Sequence, residues 1–104
     1  MDFELNSNYN LEKNCWEIII KGEIDIYNSE RIKDYISNII QEKSSDLYID
    51  CNELDYIDST GLGALVAIVK KVKQYNGNVY ILNLKQNVEK VFRITNLDKV
   101  FIMK

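Results

Sequence analysis

The chain has 104 residues, of which 46% are hydrophobic and 28% are charged, and its net charge is −3. This length suits one domain, residues 1–104, around a single hydrophobic core. The basic residues form no block, which excludes the concentrated positive patch of a nucleic-acid surface. The sequence has no histidine, so the commonest general base and the commonest zinc ligand are missing.

The cysteines and the distribution of apolar residues indicate a cytoplasmic protein. Cys15 and Cys51 have neither a metal-binding spacing nor a disulfide pattern, and both fall in apolar runs, so we expect unpaired, reduced thiols. Residues 1–4 lack the basic start and apolar stretch of a signal peptide. No run reaches the roughly 18 apolar residues of a membrane span. We predict no metal, no cofactor and no direct contact with nucleic acid or membrane.

The first half of the chain predicts a β-hairpin followed by a helix. Residues 3–9 and 15–21 alternate as strands, and the polar residues between them suit the connection. After a turn over residues 22–29, Asn28 or Ser29 is placed to cap a helix. Apolar residues then recur at helical spacing: Ile32, Tyr35, Ile36, Ile39 and Ile40.

The second half predicts strands that alternate with helices. Residues 47–51, 79–82 and 100–102 have the apolar character of strands. A long helix over residues 62–75 has an inward stripe, and a short helix stops near Asn96. The stripe consists of Leu62, Leu65, Val66, Val69 and Val72, and the short helix is marked by Val88, Val91 and Phe92. The order ββαβαβαβ predicts an α/β fold: a mixed sheet with an N-terminal antiparallel hairpin, then parallel strands alternating with helices.

The most informative run is Asp-Ser-Thr-Gly-Leu-Gly, residues 58–63, at a strand-to-helix junction. Helix N-termini have unpaired N–H groups and the positive end of the macrodipole, so Ser59 suits a helix cap, a nucleophile or a phosphate acceptor. A P-loop needs a lysine after its second glycine, and a dinucleotide fingerprint needs a third glycine; neither is present. Without histidine, a nucleophilic serine would depend on Lys70 or Lys71, a helix length away. Catalysis by Ser59 is therefore disfavoured.

Four aspartates offer another chemistry. Asp25, Asp50, Asp55 and Asp58 are expected near the C-terminal ends of parallel strands, where α/β proteins place their sites, and carboxylates suit Mg²⁺. In the simpler interpretation Asp25 and Asp58 are turn and cap residues, Asp50 ends a strand, and no metal lies between them. We favour the simpler interpretation. A small Mg²⁺-dependent or nucleotide-hydrolysing enzyme stays as the less favoured alternative.

The outward face of the long helix is unusual in its first two turns. A helical wheel places Thr60, Gly63, Ala64 and Ala67 there, whereas solvated helix faces normally carry charges. Small uncharged residues beside Ser59 allow another protein to approach closely. A phosphate on Ser59 would add roughly −1.5 to −2 charges at the edge of this face. The pattern therefore predicts a protein-binding surface that a phosphate would block.

Three segments resemble the bacterial anti-sigma factor antagonists of the STAS domain family. They are Gly22-Glu23-Ile24-Asp25, then Tyr56-Ile57 followed by the run 58–63, and then Val91-Phe92-Arg93-Ile94-Thr95-Asn96-Leu97. Their order and spacing fit over nearly the whole chain. The run 58–63 is the most specific of the three.

The resemblance implies a partner-switching protein that is not an enzyme. A serine kinase that is also the anti-sigma factor would phosphorylate Ser59, and a metal-dependent serine phosphatase would remove the phosphate. The unphosphorylated antagonist would bind the anti-sigma factor and free a sigma factor. The implied partner-binding residues are Asp25, Ile26, Tyr27, Asn28 and Ser29, together with Asp58, Thr60, Gly61, Leu62, Gly63, Ala64 and Ala67. The same resemblance leaves open a scaffold-type STAS protein of a sensory complex.

Two departures from the family pattern carry expectations of their own. Asn96 stands where the family usually has glycine, and asparagine also tolerates the left-handed conformation, so the helix stop is expected to survive. The family usually has one more helix after the last strand, whereas this sequence ends at Lys104. We therefore expect one flank of the sheet to be exposed.

Overall fold

The computed structural model describes residues 3–104. They form six strands, three α-helices and one 3-10 turn. The strands are β1 (Phe3–Asn10), β2 (Cys15–Ile24), β3 (Asp46–Asp50), β4 (Leu54–Ile57), β5 (Val79–Leu82) and β6 (Ile102–Met103). The helices are α1 (Ser29–Glu42), α2 (Ser59–Lys73) and α3 (Gln86–Ile94), and the 3-10 turn is Leu97–Lys99.

All these strands join one mixed sheet. β1 pairs antiparallel with β2, and the parallel pairs then run in the order β2-β3-β5-β6, with β4 also parallel to β2. Parallel neighbours need long crossover connections, which the helices supply. The predicted α/β fold, with its N-terminal antiparallel hairpin and its alternation of strands and helices, is confirmed.

The sheet has one strand more than the sequence pattern indicates. Residues 52–57 have the pattern of a connector, but Leu54–Ile57 forms β4 and pairs with the last residues of β2. β2 is long enough for two neighbours on the same side, with a register shift between Gly22 and Glu23. Burial does not alternate along the four residues of β4, so no period-two signal marks it.

Helix α1 follows the predicted amphipathic spacing, with Ile32, Ile36 and Ile40 buried. Tyr35 is an exception, because it remains 38% exposed. Its hydroxyl lies 2.8 Å from the hydroxyl of Ser7 on β1. The apolar stripe of α1 is therefore narrower than the isoleucine and tyrosine pattern predicts.

Helix α2 begins at Ser59, three residues before the predicted start at Leu62, and ends at Lys73. The earlier start matters for the site, because it makes Ser59 the first helical residue. Most of the predicted inward stripe is buried, although Val66 is half-buried and Ile68 must be added to it. The buried apolar side chains are Leu62, Ala64, Leu65, Ile68, Val69 and Val72.

The last third of the chain closes the core with aromatic packing. Phe92 of α3 is fully buried and packs edge-to-face on Phe101, with ring centroids 5.3 Å apart. Asn96 has φ 60°, the left-handed conformation expected of it after the helix. The final strand starts at Ile102, two residues later than predicted, because the 3-10 turn occupies residues 97–99.

The helices and one face of the sheet share a single hydrophobic cluster. The opposite face has exposed apolar side chains, since Ile19 is 40% and Ile102 37% exposed. Cys15 and Cys51 are both free and buried, as predicted. Within residues 3–104, no helix is long and apolar enough to cross a membrane.

Candidate functional site

The site lies where β4 ends and α2 begins. Asp58 has extended backbone (ψ 178°) and occupies the N-cap position of α2, where its Oδ1 accepts the N–H of Gly61 at 2.7 Å. Such a cap satisfies one of the helix's unpaired N–H groups. Ser59 and Thr60 follow in the first turn, and both are exposed. The junction therefore presents two hydroxyls to solvent from a fixed helix start.

The hydroxyl of Ser59 is exposed at the start of α2. Among residues 3–104, none makes a hydrogen bond to it. Neighbouring Asp58 uses both carboxylate oxygens on backbone N–H groups, those of Gly61 and Ile26. Lys70 and Lys71 are exposed three turns along α2. The arrangement offers the hydroxyl to another molecule and gives it no neighbouring base to activate it.

A second segment lies beside this junction, namely the loop between β2 and α1, residues 25–28, which we call the docking loop. Ile24 and Ile57 are paired in the sheet, so the docking loop and the α2 start leave the same sheet edge. The N–H of Ile26 donates to Asp58 Oδ2 at 3.1 Å, and the N–H of Asp58 donates to the carbonyl of Ile24 at 3.1 Å. Two segments some 30 residues apart in sequence thus meet at Asp58.

The docking loop is held by its own side chains. Asp25 Oδ1 accepts the N–H groups of Tyr27 and Asn28, at 2.9 and 3.2 Å. Asn28 Oδ1 accepts the N–H of Asp25 at 2.9 Å, and its Nδ2 donates to the carbonyl of Glu23 at 2.7 Å. The side chain of Asn28 therefore ties the loop to the end of β2. It makes no capping hydrogen bond to α1, contrary to the sequence-based expectation.

Burial divides the predicted docking-loop residues into two groups. Ile26 is 61% exposed and Tyr27 85% exposed, whereas Asn28 is fully buried and Ser29 is 4% exposed. Asn28 and Ser29 offer almost no surface to a partner in this structure, and their role as binding residues stays a prediction. They form the frame of the loop. Asp25 is half-buried and also acts within the loop.

The outer face of α2 is also smaller than the helical wheel indicates. Thr60 and Gly63 are exposed and Ala67 is half-buried, but Ala64 is only 9% exposed. The wheel is wrong for Ala64 because it assumes one covered side, whereas α2 is covered by both the sheet and α1. We call the exposed group within and beside the predicted binding surface the docking surface; it consists of Ile26, Tyr27, Ser59, Thr60 and Gly63.

Gly61 and Leu62 support this surface from within. Leu62 is fully buried in the core. A Cβ on Gly61 would lie 2.6 Å from the carbonyl oxygen of Ile24, so glycine lets the first turn of α2 approach the root of the docking loop. Added bulk at Gly63 would meet nothing within 4 Å. The two glycines of the run therefore have different roles: Gly61 allows close packing, and Gly63 faces open space.

The four aspartates considered as a magnesium site have separate partners. Asp25 and Asp58 bind backbone N–H groups in the docking loop and at the helix start. Asp50 accepts from Asn52 and Asn83, and Asp55 pairs with Lys85. Within the part of the chain that the structure describes, no three His, Cys, Asp or Glu residues could together hold a metal ion.

The nearest thiol does not add a nucleophile. Cys51 is fully buried at the end of β3. Burial, and secondarily the charge of Asp50, raises the pKa of its thiol to about 12. At neutral pH this cysteine is protonated and behaves as a small apolar core residue.

Comparison with known proteins now decides the family. The model of the STAS domain matches residues 9–104. The chain belongs to the STAS domain family. The anti-sigma-B factor antagonist of Staphylococcus aureus (strain NCTC 8325 / PS 47) is 29% identical over 93 residues, which cover 89% of this chain and 86% of that protein.

Solved structures agree on the fold. A putative anti-sigma factor antagonist from Thermotoga maritima superposes with a TM-score of 0.81 at 20% identity, covering 95% of this chain and 84% of that one. The anti-sigma factor antagonist SpoIIAA in its unphosphorylated form superposes with a TM-score of 0.70 at 22% identity, covering 98% of this chain and 86% of that one. The Bacillus cell fate determinant SpoIIAA in its phosphorylated form superposes with a TM-score of 0.69 at 22% identity, covering 98% of this chain and 90% of that one. At these identities the likeness establishes the STAS fold of this chain.

Sequence reasoning missed one feature of the site, the link between Asp58 and Ile26. Spacing along the chain carries no sign of it, because the pairing of β4 with β2 creates the contact and β4 itself has no sequence signal. The bond from the Ile26 N–H to Asp58 brings the docking loop next to the start of α2, where Ser59 lies.

Proposed function

We propose that this STAS domain, a single domain over residues 1–104, is an anti-sigma factor antagonist that acts by binding and not by catalysis. The observation that carries the proposal is an exposed Ser59 hydroxyl, with no hydrogen-bond partner among residues 3–104, at a capped helix start beside the exposed side chains of Ile26 and Tyr27. Relatives named anti-sigma-B factor antagonist support the same role. The partner is an anti-sigma factor, and its capture frees a sigma factor in the cytoplasm.

The anti-sigma factor is also the serine kinase that switches the complex off. It transfers phosphate to Ser59, and a serine phosphatase later removes it. Ser59 suits this role because its hydroxyl is exposed and lies at the positive end of the α2 dipole, where a phosphate is tolerated. The related fold of SpoIIAA is known in a phosphorylated form, which supports a phosphorylated state here.

The electrostatics explain how one phosphate would control binding. The docking surface carries no charged side chain, and the carboxylate of Asp58, the residue before Ser59, has both oxygens already bonded. A phosphate adds roughly −1.5 to −2 charges that a docked partner would have to desolvate. Like-charge or desolvation costs of several kcal/mol change affinity by orders of magnitude. The switch therefore acts at the interface.

Displacement of the sigma factor is the test of this function. The anti-sigma factor and sigma factor encoded in the same genome are mixed as a purified complex, the unphosphorylated chain is added, and the products are separated by size. We expect the chain to co-elute with the anti-sigma factor while the sigma factor elutes free. A sigma complex that survives a large excess of the chain, with no chain bound, would refute the antagonist function.

A further inference from the structure

We propose that Asp58 is a positioning residue that, with Gly61, locks the docking loop against the first turn of α2 before any partner arrives. This inference rests on the proposed function for its consequence in binding, but the lock itself is a property of the chain alone. It would make one preformed surface from two segments far apart in sequence.

The first contact is the side chain of Asp58 acting in two directions. Its Oδ1 accepts the Gly61 N–H at 2.7 Å and its Oδ2 accepts the Ile26 N–H at 3.1 Å. An ordinary N-cap needs only the first of these bonds. The second bond joins the cap residue to the docking loop. It holds Ile26, the residue before the highly exposed Tyr27.

The backbone supplies the second contact. The N–H of Asp58 donates to the Ile24 carbonyl at 3.1 Å, and the Cα of Gly61 packs close enough to that carbonyl that a Cβ would lie 2.6 Å away. Any larger residue at position 61 must push the helix start and the loop root apart. Asp58 and Gly61 therefore both fix the distance between the first turn of α2 and the root of the docking loop at Ile24.

The consequence is a low ordering cost on binding. Ile26 and Tyr27 are exposed apolar side chains on a loop, and an unlocked loop would have to be ordered when a partner docks. With the loop locked, the hydroxyl of Ser59 and the loop side chains stand in a fixed arrangement. The kinase would thus recognise the substrate surface as a unit, and loosening the loop would weaken recognition more than phosphate transfer.

Amide hydrogen exchange of the isolated chain, followed by NMR, tests the lock directly. Asp58→Asn retains one acceptor oxygen and a good N-cap but cannot accept both N–H groups. We expect exchange of the Ile26 amide to accelerate at least about tenfold, while the Gly61 amide keeps its protection. Asp55→Asn is the matched control, with the same charge change at a residue whose partner is Lys85. Unchanged Ile26 exchange in Asp58→Asn would overturn the lock.

Gly61→Ala tests the same arrangement without changing a charge. We expect it to accelerate Ile26 exchange as Asp58→Asn does, whereas Gly63→Ala, where a Cβ meets open space, leaves that exchange as in the wild type. Equal exchange in the two alanine variants would show that the Gly61 contact does not hold the loop.

The binding consequence is tested with the purified anti-sigma factor kinase of the same genome and ATP. We expect Asp58→Asn and Gly61→Ala to raise KM for the chain about tenfold with kcat within about twofold, because the acceptor helix still starts at the same cap. A faster-exchanging loop with unchanged KM would refute the role of the lock in recognition. If the kinase does not phosphorylate the wild-type chain, the proposed function is refuted, and so is the role of the lock in kinase recognition. The hydrogen-exchange evidence for the lock itself would still stand.

Discussion

The starts of α1 and α2 resemble each other in sequence and differ in exposure. Both helices leave the same sheet edge, after the paired residues Ile24 and Ile57, and both have serine as their first residue. Ser29 of α1 is 4% exposed, whereas Ser59 of α2 is exposed. A serine at a helix start is therefore not in itself a phosphorylation site. The surroundings of the hydroxyl decide whether a kinase reaches it.

The residues before the two serines explain the difference. Asn28 turns its side chain back to the end of β2 and is fully buried, which draws the start of α1 into the protein. Asp58 caps α2 and accepts a bond from the docking loop, which leaves the next residue outside. The start of α1 is thus a buried support of the docking loop, which we call the frame. The start of α2 has its serine exposed to solvent, and we call it the presented site.

The largest effect is expected from removing each serine hydroxyl in turn. Ser59→Ala should abolish phosphate incorporation by the kinase, because it removes the proposed acceptor hydroxyl, and Ser29→Ala should retain it. Intact-protein and peptide mass spectrometry after incubation with kinase and ATP measure both. Phosphate on Thr60, or a Ser29→Ala chain that is no longer labelled, would break the distinction between the two helix starts.

The frame role of Asn28 predicts a large loss of stability. Asn28→Ala removes two hydrogen bonds of a fully buried side chain, those with the N–H of Asp25 and the carbonyl of Glu23, so we expect a loss of about 2 to 3 kcal/mol in the free energy of unfolding. Asn38→Ala, on the exposed side of α1, should change it by less than about 0.5 kcal/mol. Urea unfolding gives both values. Equal stabilities would mean that Asn28 is free for another role.

The presented site predicts a loss of affinity without a loss of stability. Tyr27 is 85% exposed, and exposed aromatic residues are frequent binding anchors, so Tyr27→Ala should weaken anti-sigma factor binding about 30-fold, or about 2 kcal/mol. Leu11→Ala is the control, since Leu11 is 74% exposed in the hairpin turn at the opposite end of β2. Calorimetric titration compares them. Similar losses from both would place the interface elsewhere.

The smallest effect concerns stability after phosphorylation. The first turn of α1 contains Glu30, whereas α2 has no acidic residue in its first turn and only Asp58 at its N-cap, so a phosphate on Ser59 would gain further stabilisation from the helix dipole. Repulsion from Asp58 opposes this gain. We expect the free energy of unfolding to change by less than about 1 kcal/mol, measured by urea unfolding of both forms. A greater destabilisation would indicate a switch that unfolds the site instead of blocking it.

The comparison also marks what could be predicted from the sequence. The isoleucine spacing of α1 and the polar-to-apolar junction at residue 58 come from local periodicity and capping chemistry, so both were predictable. The burial of Ala64 depends on neighbours that are distant in sequence, and that of Asn28 on a side chain that turns back to the end of β2; helical spacing contains no information on either. The short strand β4 falls between the two cases, because its four residues are too few to display a period.

The central claim is that one phosphate on Ser59 decides whether the docking surface is available. Its most direct test is calorimetric titration of the anti-sigma factor with the unphosphorylated chain and with the same chain phosphorylated at Ser59. We expect the unphosphorylated chain to bind and the phosphorylated one to have an affinity at least about 100-fold lower, or about 2.7 kcal/mol weaker. Equal affinities for the two forms would contradict it.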